Sequence, residues 1–250
     1  MTGQGRNRKY DWERIWRYCT LLYFIIYFIA GLCVYKDYGF TVDEEKQRER
    51  SLVSYKYMNE VLEVIEQRIS LRAYSDVPIS SEEEEAILHA AMRASTAGNQ
   101  MLYSMIIIRD QEKKQLLSEL CDHQPFIAKA PLMIIFAADH HKWFRYYQKN
   151  GVKQFCEGKA FQFEAPQESD LLLAIQDTMI AAQNSVIAAE SMNIGSCYIG
   201  DIMENGERIK ELLNLPQYTM PIGMVVYGHY PQGFPKLPKR CFDKQFVVFE

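Results

Sequence analysis

Met58, Val61, Leu62, Ile65 and Ile69 recur at the three- and four-residue steps of a helix. The segment is therefore expected as an amphipathic helix with this stripe on the core, delivering Arg68, Ser70 and Arg72 at its C-terminal end. Ser80-Ser81-Glu82-Glu83 has the form of a capping box, in which a serine oxygen takes an orphan N–H and the glutamate bonds back. A second helix should follow, with Ile87, Ala90, Ala91 and Ala94 inward, ending near an Ala97-Gly98-Asn99 turn. Met105 to Ile108 and Leu132 to Ala137 are continuous apolar runs of strand length, the second opened by Pro131. Both predict strands covered on two faces. Between them, Gln111 to Leu120 has the leucine and charge spacing of a surface helix. Asp170 to Asn193 predicts a long Ala-rich helix, apolar on more than one face and so buried in a core or at a subunit interface. Leu212 to Pro216 ends another helix, Gly223 to Gly228 is a further strand, and Gln245 to Phe249 reads as a last strand that a neighbour could receive. No internal repeat is evident.

Residues 1–57 follow a different pattern. Tyr18 to Tyr35 is an uncharged, mostly apolar run just long enough to cross a bilayer as a helix, with Trp12 and Trp16 at its entrance. No small-x-small cleavage site follows it, which favours an uncleaved membrane anchor over a signal peptide; an apolar helix packed on the protein itself is the alternative. Residues 36–57 are rich in charge and read as a solvated linker. The division expected is thus an N-terminal extension, 1–57, with a candidate transmembrane helix at 18–35, and a body, 58–250.

Composition changes this picture little. With 250 residues, 48% hydrophobic and 24% charged, the chain can bury a substantial core, and its net charge of −4 gives no general attraction to nucleic acid. The six cysteines are scattered without a Cys-x-x-Cys pair, and His140-His141 are adjacent rather than a helical turn apart, so no metal site is expected.

The candidate chemistry lies in two basic clusters, Arg68-Ile69-Ser70-Leu71-Arg72 and Lys239-Arg240, which bracket the Ser95 to Asn99 turn and a Gly195 to Gly200 loop. Guanidinium groups offer paired planar donors to phosphate oxygens, and a serine between them adds a neutral donor. The arrangement suggests a phosphate-bearing cofactor, although Arg-x-Ser-x-Arg alone is also a common solvated string.

In order, these segments resemble the nitroreductase family of flavin enzymes over about Met58 to Glu250. The resemblance is carried by Arg68 to Arg72, by Ala94 to Asn99, and by the Ala-rich helix ending in Asn193-Ile194-Gly195-Ser196-Cys197. It implies an α+β sandwich around a central, mainly antiparallel sheet flanked by helices, as an intertwined homodimer; the N-terminal hydrophobic helix would be extra. It implies FMN as cofactor and NAD(P)H as transient electron donor, with a nitroaromatic, quinone or similar acceptor served in a second half-reaction. Arg68, Ser70 and Arg72, joined by Lys239 and Arg240, would hold the FMN phosphate and ribityl chain. Asn99 would bond the pyrimidine edge, Gly195 and Ser196 would belong to the cofactor loop, and the backbone of Ile199, Gly200 and Asp201 would lie beside flavin N5. No catalytic side chain is required, because the flavin carries the chemistry.

The chain departs from the family at Met101-Leu102-Tyr103, where Gln-Pro-Trp is usual, and at Ser95-Thr96 in place of Pro-Ser. These changes bear on substrate preference. The aromatic-rich stretch from His140 to Ser169 is either a lid over the flavin or ordinary packing. A nicotinamide-using domain is expected on the cytoplasmic side, membrane-associated through the first helix, whereas the flanking charges slightly favour a cytoplasmic N-terminus and an outside body. Two further readings remain open, a reductive dehalogenase of the same superfamily and a membrane-tethered flavin sensor without turnover.

Overall fold

A computed structural model describes residues 60–236, all within the unit Asn59–Glu250. Four strands, β1 (Tyr103–Ile107), β2 (Leu132–Asp139), β3 (Ile194–Ile199) and β4 (Thr219–His229), form one antiparallel sheet in the order β1-β2-β4-β3. β2 is buried at every position because it lies inside the sheet with helices over both faces. Its side chains alternate between two cores, with Ile134 and Phe136 in one and Met133 and Ile135 in the other. The first core is closed by α1 (Ser81–Met92) and the long α6 (Glu168–Ser191). The second is closed by α2 (Gln111–Leu120), α3 (Pro125–Ala128) and α7 (Gly206–Leu212). Between β2 and α6 the chain makes two short helices, α4 (His141–Lys149) and α5 (Val152–Cys156).

The termini of these elements follow from their sequences. Ser80 accepts the Glu83 N–H at 3.2 Å while the Glu83 carboxylate accepts the Ser80 N–H at 2.8 Å, the reciprocal cap expected for α1. Asp110 caps α2 by accepting the Lys113 N–H at 2.8 Å. In α6 the inner stripe is small, with Ala174, Ala181, Ala182, Ser185 and Ala189 buried, so the helix lies close against the sheet. It is also long and apolar enough to cross a membrane by composition, but that inner stripe is packed on the sheet.

Three expectations are corrected. The helix expected to carry Met58 to Ile69 ends at Gln67, earlier than the apolar spacing suggested, and its stripe is not core: Val61, Leu62 and Ile65 are about half exposed, at 49%, 53% and 51%, because no element of the described chain covers them. β1 is an edge strand, and only Tyr103 is fully buried rather than both faces. α6, expected in a core or at a subunit interface, carries Leu172, Met179 and Ile180 exposed on its outer side, which contradicts neither alternative. The Gly195 to Gly200 segment is not a loop; residues through Ile199 form β3, paired with β4 from Ile194↔His229 to Ile199↔Met224. The apolar run 18–35, the charged linker, Lys239, Arg240 and the Gln245 to Phe249 run lie outside the described residues.

Candidate functional site

The Arg68 to Arg72 segment lies along the outer edge of β3. Ser70 bridges Ser196 in parallel, the Leu71 N–H donates to the Ser196 carbonyl at 2.9 Å, and the Ser75 N–H donates to the His229 carbonyl at 3.0 Å. What seats the segment is a pair of glycines. Gly195 and Gly228 are cross-strand partners, with Leu71 packed against the first and the Tyr74 ring against the second. A Cβ on Gly195 would stand 2.5 Å from Leu71 Cδ2 and 2.8 Å from both Leu71 Cβ and Tyr230 Cζ. Gly195 is thus a seat for Leu71. Leu71 is wholly buried, while its neighbours Ser70 and Arg72 are exposed and Arg68 is half-buried.

Electrostatics locate these side chains relative to β3. Burial pushes the Cys197 thiol above its ordinary range, and Arg72, a hydrogen bond from Ser70, and Arg68 oppose that rise. The two guanidinium groups and the serine hydroxyl thus all lie within electrostatic reach of Cys197 on β3. Arg72 also lies over the Phe126 ring, 5.8 Å from its centroid. The ion pairs among the described residues, Arg109–Glu84, His229–Glu83 and Lys236–Glu190, use neither arginine. This donor set, a hydroxyl between two guanidinium groups, fits a phosphate dianion. Ser196 is different: it pairs with Tyr227, shares that residue's face of the sheet, and buries a hydroxyl without a hydrogen-bond partner.

β3 ends at Gly200, where an added Cβ would meet nothing within 4 Å. Ile199 is buried just before it, and the Asp201 carboxylate after it accepts the Gln124 amide at 2.5 Å. The backbone at this corner is accordingly open on one side and anchored on the other.

Asn99 is held at a separate place, in the turn that feeds β1 at the opposite edge of the sheet, with β2 and β4 intervening. Gly98, Asn99 and Met101 all have left-handed backbone, with φ of 56°, 55° and 50°. For a residue such as Met101 this costs about 1–2 kcal/mol, so the turn must be fixed by its surroundings. It is: Asp177 of α6 accepts the Ala97 N–H at 3.0 Å and the Leu102 N–H at 3.3 Å, Thr96 Oγ1 accepts the Met101 N–H at 3.2 Å, and Trp143 Nε1 donates to the Gln100 carbonyl at 2.7 Å.

The C-terminal arm is tied down at the far end of α6. The buried Glu190 carboxylate accepts the Tyr230 hydroxyl at 2.8 Å and Lys236 Nζ at 2.9 Å, and Lys236 also donates to Asn193 at 3.2 Å. Burial, then the bond to Glu190, pushes the Tyr230 hydroxyl up, and Arg68 opposes the shift; Tyr230 and Leu71 meet over Gly195, which brings this arm to the arginine segment. Asp177 and Glu190 were missed in the sequence. The signal available was a carboxylate on the inner stripe of an otherwise Ala-rich helix, a position that burial disfavours unless the charge is used.

The aromatic stretch after β2 is folded on itself. Phe144 and Phe163 stack at 5.5 Å and 7°, and Phe144 meets Tyr218 edge-on at 5.1 Å. They border a cleft of about 400 Å³ that Tyr147, Phe161, Cys156 and His140 also line. Among the described residues no group of His, Cys, Asp or Glu could hold a metal ion.

Comparison with known proteins agrees with this fold. The model of the Nitroreductase family matches residues 65–229. FMN reductase [NAD(P)H] of Bacillus subtilis is 32% identical over 191 residues, covering 75% of this chain and 74% of its own. Oxygen-insensitive NADPH nitroreductase of Salmonella typhimurium is 30% identical over 193 residues, with coverage of 77% and 74%. Among solved structures, NADPH:FMN oxidoreductase from Vibrio harveyi, complexed with NAD+, superimposes with a TM-score of 0.66 at 27% identity over 76% of each chain.

Proposed function

The chain belongs to the nitroreductase family, and from that premise we propose that it is an FMN-dependent NAD(P)H oxidoreductase serving planar, electron-poor acceptors such as nitroaromatics or quinones. The observation that carries the reading is the Arg68-Ser70-Arg72 face, laid along β3 by Leu71 in its Gly195 seat and leading to the open backbone at Gly200. When bound, FMN supplies the two-electron redox chemistry between nicotinamide and acceptor.

The chain's own part is binding and orientation. Arg68, Ser70 and Arg72 hold the phosphate end by charge-assisted hydrogen bonds. Lys239 and Arg240 follow the anchored Lys236 by three and four residues, a reach of up to about 10–14 Å, so they can join the same phosphate. The backbone of Ile199, Gly200 and Asp201 offers main-chain groups to the ring near N5, and Asn99 offers its amide to the pyrimidine edge. Gly195 and Ser196 contribute by shaping the strand under this segment. The Phe144 to Phe163 cleft supports flat acceptors, since aromatic walls favour stacked rings.

A homodimer completes this reading. Within one chain Asn99 and Arg72 stand toward opposite edges of the sheet, and the exposed stripe of Val61, Leu62 and Ile65 together with Leu172, Met179 and Ile180 offers apolar surface for a second copy. The uncharged 18–35 run with Trp12 and Trp16 supports attachment to a membrane, which an alkaline wash of cell membranes checks directly.

The test of the main reading is the absorption spectrum of the purified protein, followed by anaerobic addition of NADH or NADPH. Bound FMN bleached by nicotinamide, and parallel initial-rate lines when donor and acceptor are varied, are expected. A protein that remains colourless in excess FMN, or a flavin that neither nicotinamide bleaches, refutes it.

A further inference from the structure

We propose that Asp177 is the positioning residue of the Asn99 turn, holding it in the one shape that presents the Asn99 amide to the flavin; the inference rests on the FMN reading above. Asp177 lies midway along α6 on its inner stripe and is only 3% exposed. Its two oxygens are divided between the two ends of the turn, Oδ1 accepting from Ala97 and Oδ2 from Leu102. One side chain therefore sets the gap that the intervening residues must span.

Those residues could not keep that shape unaided. Three of them, Gly98, Asn99 and Met101, are left-handed, and an asparagine and a methionine in that region relax toward ordinary backbone when the ends are released. The remaining braces are the Thr96 hydroxyl on Met101, Trp143 of α4 on Gln100, and two backbone bonds, from the Asn99 N–H to the Thr96 carbonyl and from the Gln100 N–H to the Ala97 carbonyl. None of them holds Ala97 and Leu102 to a common group. The residue type also follows. A carboxylate has an acceptor on each oxygen, whereas an asparagine would turn an NH₂ against one of the two N–H donors. A lone buried charge is costly, and the ion pairs among the described residues do not include Asp177, so its two backbone partners account for its place there.

The experiment compares the full-length protein with Asp177→Asn, Asn99→Ala and the double variant, measuring the FMN Kd by fluorescence titration and the melting temperature of the apo form. Asp177→Asn is expected to weaken FMN binding about tenfold, and Asn99→Ala to weaken it as well. Because Asp177 acts through Asn99, the double variant should bind no more weakly than the weaker single. Full additivity of the two effects, or a Kd in Asp177→Asn equal to wild type, overturns the proposal even if stability drops. If Asn99→Ala alone leaves the Kd unchanged, the assignment of Asn99 fails and the inference falls with it, while binding by wild type keeps the FMN reading. If wild type binds no FMN, the reading itself fails. Should Asp177→Asn not fold, hydrogen exchange on wild type decides: the Ala97 and Leu102 amides must be protected, more so with FMN, and exchange at the rate of free amides at either position overturns the clamp.

Discussion

Gly195→Ala tests how the arginine segment is built. The new methyl would lie 2.5 Å from Leu71 Cδ2 and 2.8 Å from Leu71 Cβ, against an ordinary contact of 3.4 Å or more, so Leu71 must retreat by roughly 0.6–0.9 Å. The terminal carbon can rotate away, but Cβ moves only with the backbone, and the Leu71 N–H is already bonded to the Ser196 carbonyl at 2.9 Å. Tyr230 Cζ, also 2.8 Å from the added atom, blocks a second direction, and its hydroxyl is fixed on Glu190. Overpacking of this kind costs about 1–3 kcal/mol, and stretching one backbone hydrogen bond about 1 more, for a loss of about 2–4 kcal/mol. Urea unfolding of the apo protein reads the stability and FMN titration reads the site. Because Ser70 and Arg72 flank Leu71, affinity should fall together with stability. Gly206→Ala is the control: its methyl would meet only Met220 Cε at 3.9 Å, so no comparable loss is expected. In a Leu71→Ala background the Gly195 methyl should cost less than in wild type, because the contact with Cδ2 is gone while those with Cβ and Tyr230 Cζ remain. An unchanged midpoint and Kd in Gly195→Ala, or an equal cost in both backgrounds, refutes the seat.

Three shorter predictions accompany it. Arg72→Ala should weaken FMN binding by about 1.5–3 kcal/mol, read by titration, through loss of a charged hydrogen bond; equal affinity removes Arg72 from the site. Ser80→Ala should lower stability by about 1 kcal/mol in urea unfolding, by removing the acceptor for the Glu83 N–H, with FMN affinity unchanged. Burial, aided by Asp201 and Glu204, pushes the Cys121 thiol from about 9 up to about 12. The neutral thiol is favoured by folding, so its contribution is complete below pH 9 and is lost as pH rises from 9 toward 12; a Cys121→Ala variant should lose less stability than wild type across that interval in alkaline unfolding.

Where local chemistry decides an element, the sequence was sufficient. The Ser80/Glu83 cap, the Gln111–Leu120 helix with Asp110 before it, and the apolar run that became β2 were all readable, because each rests on a period or a side-chain-to-backbone bond within a few residues. β3 was misread for the opposite reason. Glycine at 195 and 200 signals a loop locally, and only the packing of Leu71 from far earlier in the chain explains a glycine inside a strand. The exposed Val61, Leu62 and Ile65 stripe shows a related limit: periodicity reveals that a face is apolar and says nothing of what covers it. The arginine and serine residues of the candidate site were legible as a string. Asp177 and Glu190, which hold the turn and the C-terminal arm, were not, since a carboxylate in a helix reads as solvated until the fold buries it.

The two halves of the proposed site are held by different physics, and this decides how each should fail. The arginine segment is positioned by shape: a leucine in a glycine seat and two backbone bonds to β3 and β4, with no buried charge. Its position should be insensitive to pH and salt, although its grip on phosphate weakens with salt because the arginines act through solvent. The Asn99 turn is positioned by a buried carboxylate against strained backbone, and the C-terminal arm by Glu190 with Lys236 and Tyr230. Asp177→Asn removes an acceptor from the turn, and Glu190→Gln weakens the hold on the arm, while both leave Leu71 in its seat. The two halves should therefore loosen separately, and native-state hydrogen exchange reads this directly: faster exchange at Ala97 and Leu102 with Leu71 unchanged in Asp177→Asn, and the reverse in Gly195→Ala. Faster exchange at all three amides in either variant would mean that one cooperative unit, rather than two separately held halves, presents the site.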